Sequence, residues 1–343
     1  MKTIVVLGAT GHLGCYSALA LARQGYRVVA VGRREEVGVN NFFSRHGMEY
    51  VGGVVLERDG WWDKLCHLKC VDAVVHLAGT MPAHSGLAPM PYVQGIVVAM
   101  VNVCEWMRSI GCSRIIFNTT PSDVSAMFGG QEPIPDDAPR SFPKSGNDHA
   151  VYAICKNAAV DLLGYYQIKY GFKPCVFRHF MVYGWHSTAV YHLDGQPRIL
   201  PYRQMIRKCL AGETLTIWGD PSVKRDILYI EDFAQAVVTA VGNDACGLFN
   251  LAGDRKYTLE EQVRTIQEVF SSKSGPLAYD KTKPSAPQLL LTHEKAEREL
   301  GWRAKWSWKA ACEDMKRYYI HNEFEELWGP ADREDCLTEG VIG

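Results

Sequence analysis

The sequence predicts an α/β protein: a doubly wound parallel sheet in the N-terminal part, followed by a smaller, discontinuous second domain. Three observations carry this. The segment Gly8-Ala9-Thr10-Gly11-His12-Leu13-Gly14 separates an apolar run from a helical stretch, strand signals recur after helical patterns through the first half, and from Gly184 that alternation loosens. Strands alternating with helices imply parallel pairing with ligands at the strands' carboxyl ends.

Ile4-Val5-Val6-Leu7 is a short continuous apolar run, the pattern of a buried strand, and Cys15 to Ala22 reads as a helix closed by Arg23-Gln24-Gly25. A secretory signal needs about 7–15 uninterrupted apolar residues, whereas Gly8 ends this run after four, and His12 stands where a lipobox has leucine. The expectation is a cytoplasmic protein without a cleaved leader. The three glycines let the backbone approach a pyrophosphate and aim helix N–H groups at it. A second strand at Tyr26–Val31 completes the βαβ unit that such a Rossmann reading requires.

Further strands are expected at Met48–Val51, Ala73–Leu77, Arg114–Phe117 and Pro174–Phe177, with an amphipathic helix over Val97–Ile110. Loops carrying Pro197, Pro201 and Pro221 follow, and Phe249-Asn250-Leu251 reads as a strand returning to the first domain. The expected division is a dinucleotide-binding domain over 1–183, rejoined by about 226–255, a substrate domain over 184–225 and 256–329, and a polar tail over 330–343.

With 343 residues, 47% of them apolar, and a net charge of −1, the chain is long enough for a sizeable core and carries no basic field for nucleic acid. No apolar run approaches the roughly 20 residues of a membrane span. The eleven cysteines are scattered in apolar surroundings, such as those of Cys104 and Cys175, which reads as reduced thiols. Cys66 and Cys70 lack a second pair and His186 and His192 lack a cluster, so no metal is expected.

Oxidation of an alcohol requires a base for the hydroxyl proton, and tyrosine serves if a nearby cation lowers its pKa from about 10. Tyr152 and Lys156 stand at i, i+4 on one helix face, but the spacing recurs at Tyr165 with Lys169 and at Tyr279 with Lys283. Tyr279 lies in a Pro- and Lys-rich loop. Tyr165 is thirteen residues beyond Tyr152 and points elsewhere around the helix. Tyr152 follows the strand ending Phe117-Asn118-Thr119-Thr120, whose hydroxyls emerge at the sheet's carboxyl edge, so Tyr152, Lys156 and Thr120 form the candidate catalytic set.

The ordered set Gly8-x-x-Gly11-x-x-Gly14, His76-Leu77-Ala78-Gly79, Thr119-Thr120, Tyr152-x-x-x-Lys156, Phe177-Arg178-x-x-x-x-Tyr183-Gly184, Lys224-Arg225-Asp226 and Leu300-Gly301-Trp302 resembles the extended short-chain dehydrogenase/reductases of the NAD-dependent epimerase/dehydratase family. The likeness runs from Met1 to about Tyr319. It implies Tyr152 as general acid/base, Lys156 on the nicotinamide ribose, Thr120 as hydroxyl partner, and a nucleotide sugar as substrate. Gly8, Thr10, Gly11, His12, Leu13, Gly14, Leu77, Ala78 and Gly79 then bind cofactor, while Ser122, Met181 and Arg225 join Thr120 and Tyr152 at the substrate, Arg225 at its pyrophosphate. The family habit also implies a homodimer through helices near Val97–Met107 and Ala150–Tyr170.

The sequence departs from the family in three respects. Ile96 and Met181 replace asparagines, and Pro121-Ser122 follow Thr120, which argues against a 4,6-dehydratase. At the end of the second strand Gly32 takes the place of the acidic residue that holds an adenosine 2′-hydroxyl, and Arg33-Arg34 follow. Guanidinium forks grip a 2′-phosphate, so NADP is the expected cofactor and NAD the alternative. Epimerisation at a sugar carbon, C4 by expectation, through a keto intermediate is placed ahead of NADPH-dependent reduction of a 4-keto sugar. A non-sugar carbonyl reductase and a non-catalytic NADP-sensing protein stand as further alternatives.

Overall fold

The structure, a computed structural model, describes residues 1–82, 88–144, 148–193, 196–271 and 277–330. Seven strands make the central sheet: β1 (Thr3–Leu7), β2 (Arg27–Val31), β3 (Glu49–Val51), β4 (Ala73–His76), β5 (Arg114–Asn118), β6 (Lys173–Arg178) and β7 (Gly247–Asn250). Every pairing is parallel and the order is β3-β2-β1-β4-β5-β6-β7. Each strand expected from the sequence is present within a residue or two, including the returning one, which lies beside β6 with Phe249 opposite Phe177.

All five residues of β1 are buried, and because alternate side chains leave opposite faces they feed two separate cores. Ile4 and Val6 pack with Tyr16, Leu19, Phe233 and Val237 of the helices His12–Arg23 and Ile230–Gly242. Val5 and Leu7 pack with Met100, Val103, Tyr152 and Leu163 of the helices Ala99–Ser109 and Asp148–Tyr170. The chain reverses its winding at β1 and β4, and the crevice at their carboxyl ends is where such sheets take ligands.

Two regions are more ordered than the sequence pattern implies. Ahead of Ala99 the helix begins at Pro89 and passes through a π-helical turn, Val93–Val98, with proline in the first turn where its missing N–H costs nothing. Beyond Gly184, Pro197 sits in an antiparallel hairpin opposite His192, and Pro201 opens the helix Pro201–Leu210. Elsewhere in that region Lys224–Asp226 pairs antiparallel with Lys256–Thr258, and the helices Leu259–Phe270 and Trp308–Ile320 pack through Val263, Ile266, Cys312 and Met315 in the same core as Ile4. Among the described residues, no helix is long and apolar enough to cross a membrane, and the cysteines are all free. The tail over 331–343 lies outside the described residues.

Candidate active site

The glycine turn after β1 divides its labour. Gly8 adopts φ +85°, and a Cβ there would lie 2.6 Å from the Ala78 backbone nitrogen, so the turn and the segment after β4 meet only because Gly8 has no side chain. A Cβ on Gly14 would sit 2.2 Å from the Gly8 carbonyl oxygen, which fixes the close crossing of helix and strand. Gly11, at the helix N-cap, meets only the Gly8 carbonyl at 3.4 Å and otherwise faces open space. No side chain caps this helix and no acidic residue stands in its first turn, leaving its N–H groups and positive dipole end for an anion. These features fit a dinucleotide pyrophosphate.

A cavity of about 800 Å³ opens over this turn. Gly8, Thr10, Gly11, His12, Leu13, Gly14, Arg33, Leu77, Ala78, Gly79, Thr120, Ser122, Tyr152, Lys156 and Met181 all line it, so most of the residues expected at the site meet at one place. Thr188, Val190, Tyr191, His192, Leu200 and Tyr202, residues of the loosened region, line it too. A concave site of this size, with few polar groups converging on apolar walls, suits an organic ligand beside a cofactor.

Two expected residues do not reach the cavity lining. Arg34 pairs with Glu36 at 3.2 Å and donates to the Leu327 carbonyl, turning it toward the C-terminal segment. Arg33, by contrast, lines the cavity and has no hydrogen bond or ion pair among the described residues. Arg225 is in the middle of the strand Lys224–Asp226, where burial lowers its pKa and the Tyr183 ring lies near; Tyr183 in turn packs 5.0 Å from Tyr202. Of these three, Tyr202 lines the cavity, while Tyr183 and Arg225 do not.

Tyr152 is 5% exposed, with its hydroxyl 3.6 Å from Met81 Sδ. Lys156, one turn on, is 2% exposed; its Nζ donates to the Asn118 carbonyl at 2.9 Å and lies 4.3 Å from the Phe117 ring centre. The backbone carbonyl ending β5 thereby ties the helix to the sheet edge. Burial pulls the lysine down to about 7 and pushes the tyrosine well up, with Tyr92 adding to the second effect. The expected depression of the tyrosine by its lysine is therefore absent here: desolvation of both groups wins, because the ammonium is held by Asn118 rather than by the phenol. Thr120 Oγ1 accepts from the Ser122 N–H at 3.2 Å, and the two hydroxyls lie 3.2 Å apart.

The sequence reading missed several cavity residues. Gly95 lines the cavity from the π-helical turn, where a Cβ would meet Thr80 Oγ1 at 2.3 Å. Ile96 beside it is buried near Gly79, so the position that departs from the family is a packed apolar wall. His179 also lines the cavity; its Nδ1 lies 2.7 Å from the Phe180 carbonyl, and burial lowers its pKa to about 4. A lone histidine after a strand carries no spacing signal. The π turn was hidden because Pro89, Pro91 and Gly95 break helical periodicity.

The sequence profile described as NAD dependent epimerase/dehydratase family matches residues 4–252. UDP-glucose 4-epimerase 4 of Oryza sativa subsp. japonica is 25% identical over 94% of this chain and 91% of that protein. In fold, the chain is similar to UDP-N-acetylglucosamine 4-epimerase from Bacillus cereus (TM-score 0.75, 22% identity, 93% of this chain and 100% of that one). It is also similar to the UDP-glucose 4-epimerase of Thermus thermophilus in complex with NAD (TM-score 0.71, 19% identity, 94% and 99%). With more than half its length matched by the profile, and with the glycine turn, tyrosine, lysine and threonine around one cavity, the chain belongs to the NAD-dependent epimerase/dehydratase family.

Proposed function

We propose that the protein is a nucleotide-sugar 4-epimerase that moves a hydride reversibly at C4 through a keto intermediate. The carrying observation is that Tyr152, Lys156 and Thr120 share one cavity with an uncapped glycine turn and with Tyr191 and Tyr202. A bound nicotinamide dinucleotide would supply the acceptor, and later the donor, of the C4 hydride, so nothing would be consumed. Tyr152 would take the C4 hydroxyl proton on oxidation and return it when the alcohol is reformed. Lys156 would hold the nicotinamide ribose, and Thr120, backed by Ser122, would hydrogen-bond the reacting oxygen. Met181 packs against the sugar in place of a polar contact.

For the cofactor, Arg33, which has no ion pair among the described residues, and the lack of a carboxylate at Gly32 support NADP over NAD through one guanidinium rather than two. The same arginine favours the second reading, NADPH-dependent reduction of a 4-keto sugar. Ile154, Tyr165 and Ile168 on the Asp148–Tyr170 helix are exposed, Ile168 to 90%, which supports a homodimer through that face. The domain division at 183/184 with return over 226–255, and a cytoplasmic location, belong to the same proposal.

The test incubates the protein and dinucleotide with UDP-glucose and UDP-N-acetylglucosamine and follows the anomeric proton by NMR. Appearance of the C4 epimer is expected; consumption of NADPH with a 4-keto sugar and no epimer selects the reductase. UDP, GDP, CDP and dTDP are screened by thermal shift. If none raises the melting temperature at millimolar concentration, the sugar-nucleotide reading falls.

A further inference from the structure

Three consecutive residues near the C-terminus each hold a different part of the cofactor side. Glu326 pairs with Arg45 at 2.9 Å, the Leu327 carbonyl accepts from Arg34, and the Trp328 indole N–H donates to the Thr10 carbonyl at 2.8 Å. The last bond falls on the glycine turn. The Thr10–Gly11 peptide is then held at both ends, since its N–H donates to the Gly8 carbonyl at 3.0 Å. The next N–H groups along the chain are those of the first helical turn, which have no intrahelical acceptor. Fixing the plane of this peptide fixes where they point.

Trp328 is itself immobilised. It is 6% exposed, stacks on Phe324 with ring centres 4.6 Å apart, and lies 4.3 Å from the His186 ring; its carbonyl accepts from Ser187 Oγ at 2.8 Å. His186 and Thr188 also line the cavity, with the His186 ring 5.7 Å from that of His12 in the same turn. We propose that Trp328 is a positioning residue that completes the pyrophosphate cradle: its indole N–H pins the glycine turn, and its carbonyl ties that turn to the 186–188 loop. This rests on the dinucleotide reading above and deepens it, because the profile that defines the family ends at residue 252, well before this tryptophan.

The experiment measures binding of ADP-ribose, which contains the pyrophosphate, and of adenosine, which lacks it, by calorimetry. Trp328→Phe keeps an aromatic ring and removes the N–H; loss of one hydrogen bond that preorganises a site corresponds to about a three- to tenfold weaker ADP-ribose complex, with adenosine affinity unchanged. Glu323→Gln is the control, since it weakens the contact of the exposed Glu323 with Arg317 in the same segment and touches neither Trp328 nor the turn; ADP-ribose affinity is expected to stay at the wild-type value. Unchanged ADP-ribose binding in Trp328→Phe, equal loss for adenosine, or an equal loss in Glu323→Gln overturns the proposal. If Trp328→Phe does not fold, the Trp328 indole proton of the wild-type protein is followed by NMR. It should shift with ADP-ribose and stay still with adenosine; no shift with ADP-ribose is equally fatal. A wild-type protein that binds no ADP-ribose refutes the dinucleotide reading instead.

Discussion

One helix, Asp148–Tyr170, carries two tyrosine–lysine pairs at identical spacing, and they behave as opposites. Lys169 donates directly to the Tyr165 hydroxyl at 2.7 Å, with Tyr165 49% exposed, and hydrogen bonds to the Tyr165 and Tyr170 hydroxyls hold the lysine above its ordinary pKa. Lys156 instead turns to Asn118, and burial draws it down to about 7. The spacing brings two side chains onto one helix face; the end of β5 decides which pair lines a cavity. On this helix a direct tyrosine–lysine contact thus belongs to the solvated pair. The third pair, also solvated, makes no such contact: the Tyr279 hydroxyl donates to Glu260 at 2.9 Å and Lys283 lies over the Trp218 ring.

The largest effect should come from Tyr152→Phe, which removes the proton carrier. Turnover is expected to fall by roughly 10²–10⁴-fold in an epimerase assay while calorimetry shows dinucleotide affinity retained; near wild-type turnover would erase the distinction between the two pairs.

Stability offers a second separation. The folded-state pKa of Lys156, about 7, lies below the ordinary lysine value. Between the two the unfolded chain binds the extra proton, so this lysine lowers stability most below pH 7, and the penalty fades as pH climbs toward about 10.5. Lys156→Met should therefore stabilise the protein by on the order of a few kcal/mol below pH 7, with the gain shrinking by pH 10 in urea titrations. Lys169→Met should show no such pH-dependent gain.

Arg33 and Arg34 repeat the contrast between a free group and a satisfied one. Arg33→Ala should weaken NADP(H) binding by about 1.5–3 kcal/mol, the scale of a charge-assisted contact, with NAD(H) little affected, whereas Arg34→Ala should leave the NADP-to-NAD ratio near that of the wild type. Equal losses for both coenzymes in Arg33→Ala would make that arginine a solvated surface group. The smallest effect is expected from Tyr165→Phe, whose turnover should remain within about twofold of wild type, since it keeps the ring on the proposed dimer face and removes one hydroxyl outside the cavity lining.

The glycine turn, the parallel sheet and the Tyr152 helix were readable because each imposes a local periodicity or a steric requirement on neighbouring residues. Tyr191 and Tyr202 in the cavity lining were not readable, since Pro197 in the second strand of the hairpin and Pro201 at the start of the helix both read as loop signals. Arg34 and Arg225 were assigned from charge type and motif position alone. Charge says nothing about which partner a guanidinium finds, and one found Glu36 and the Leu327 carbonyl while the other stands beside Tyr183. Trp328 lay beyond any motif, because its partner is 318 positions away in the chain.

That separation bears on how the protein is made. A ribosome delivers Trp328 318 residues after Thr10, so the βαβ unit that holds Thr10 leaves the tunnel with the Thr10 carbonyl lacking its indole donor. Contacts of such long range come late, after the entropy of closing the intervening chain has been overcome. The glycine turn, made long before its indole partner, would thus reach its working geometry late, and chains stalled before Trp328, however well folded in their sheet, would carry an unfinished cofactor turn.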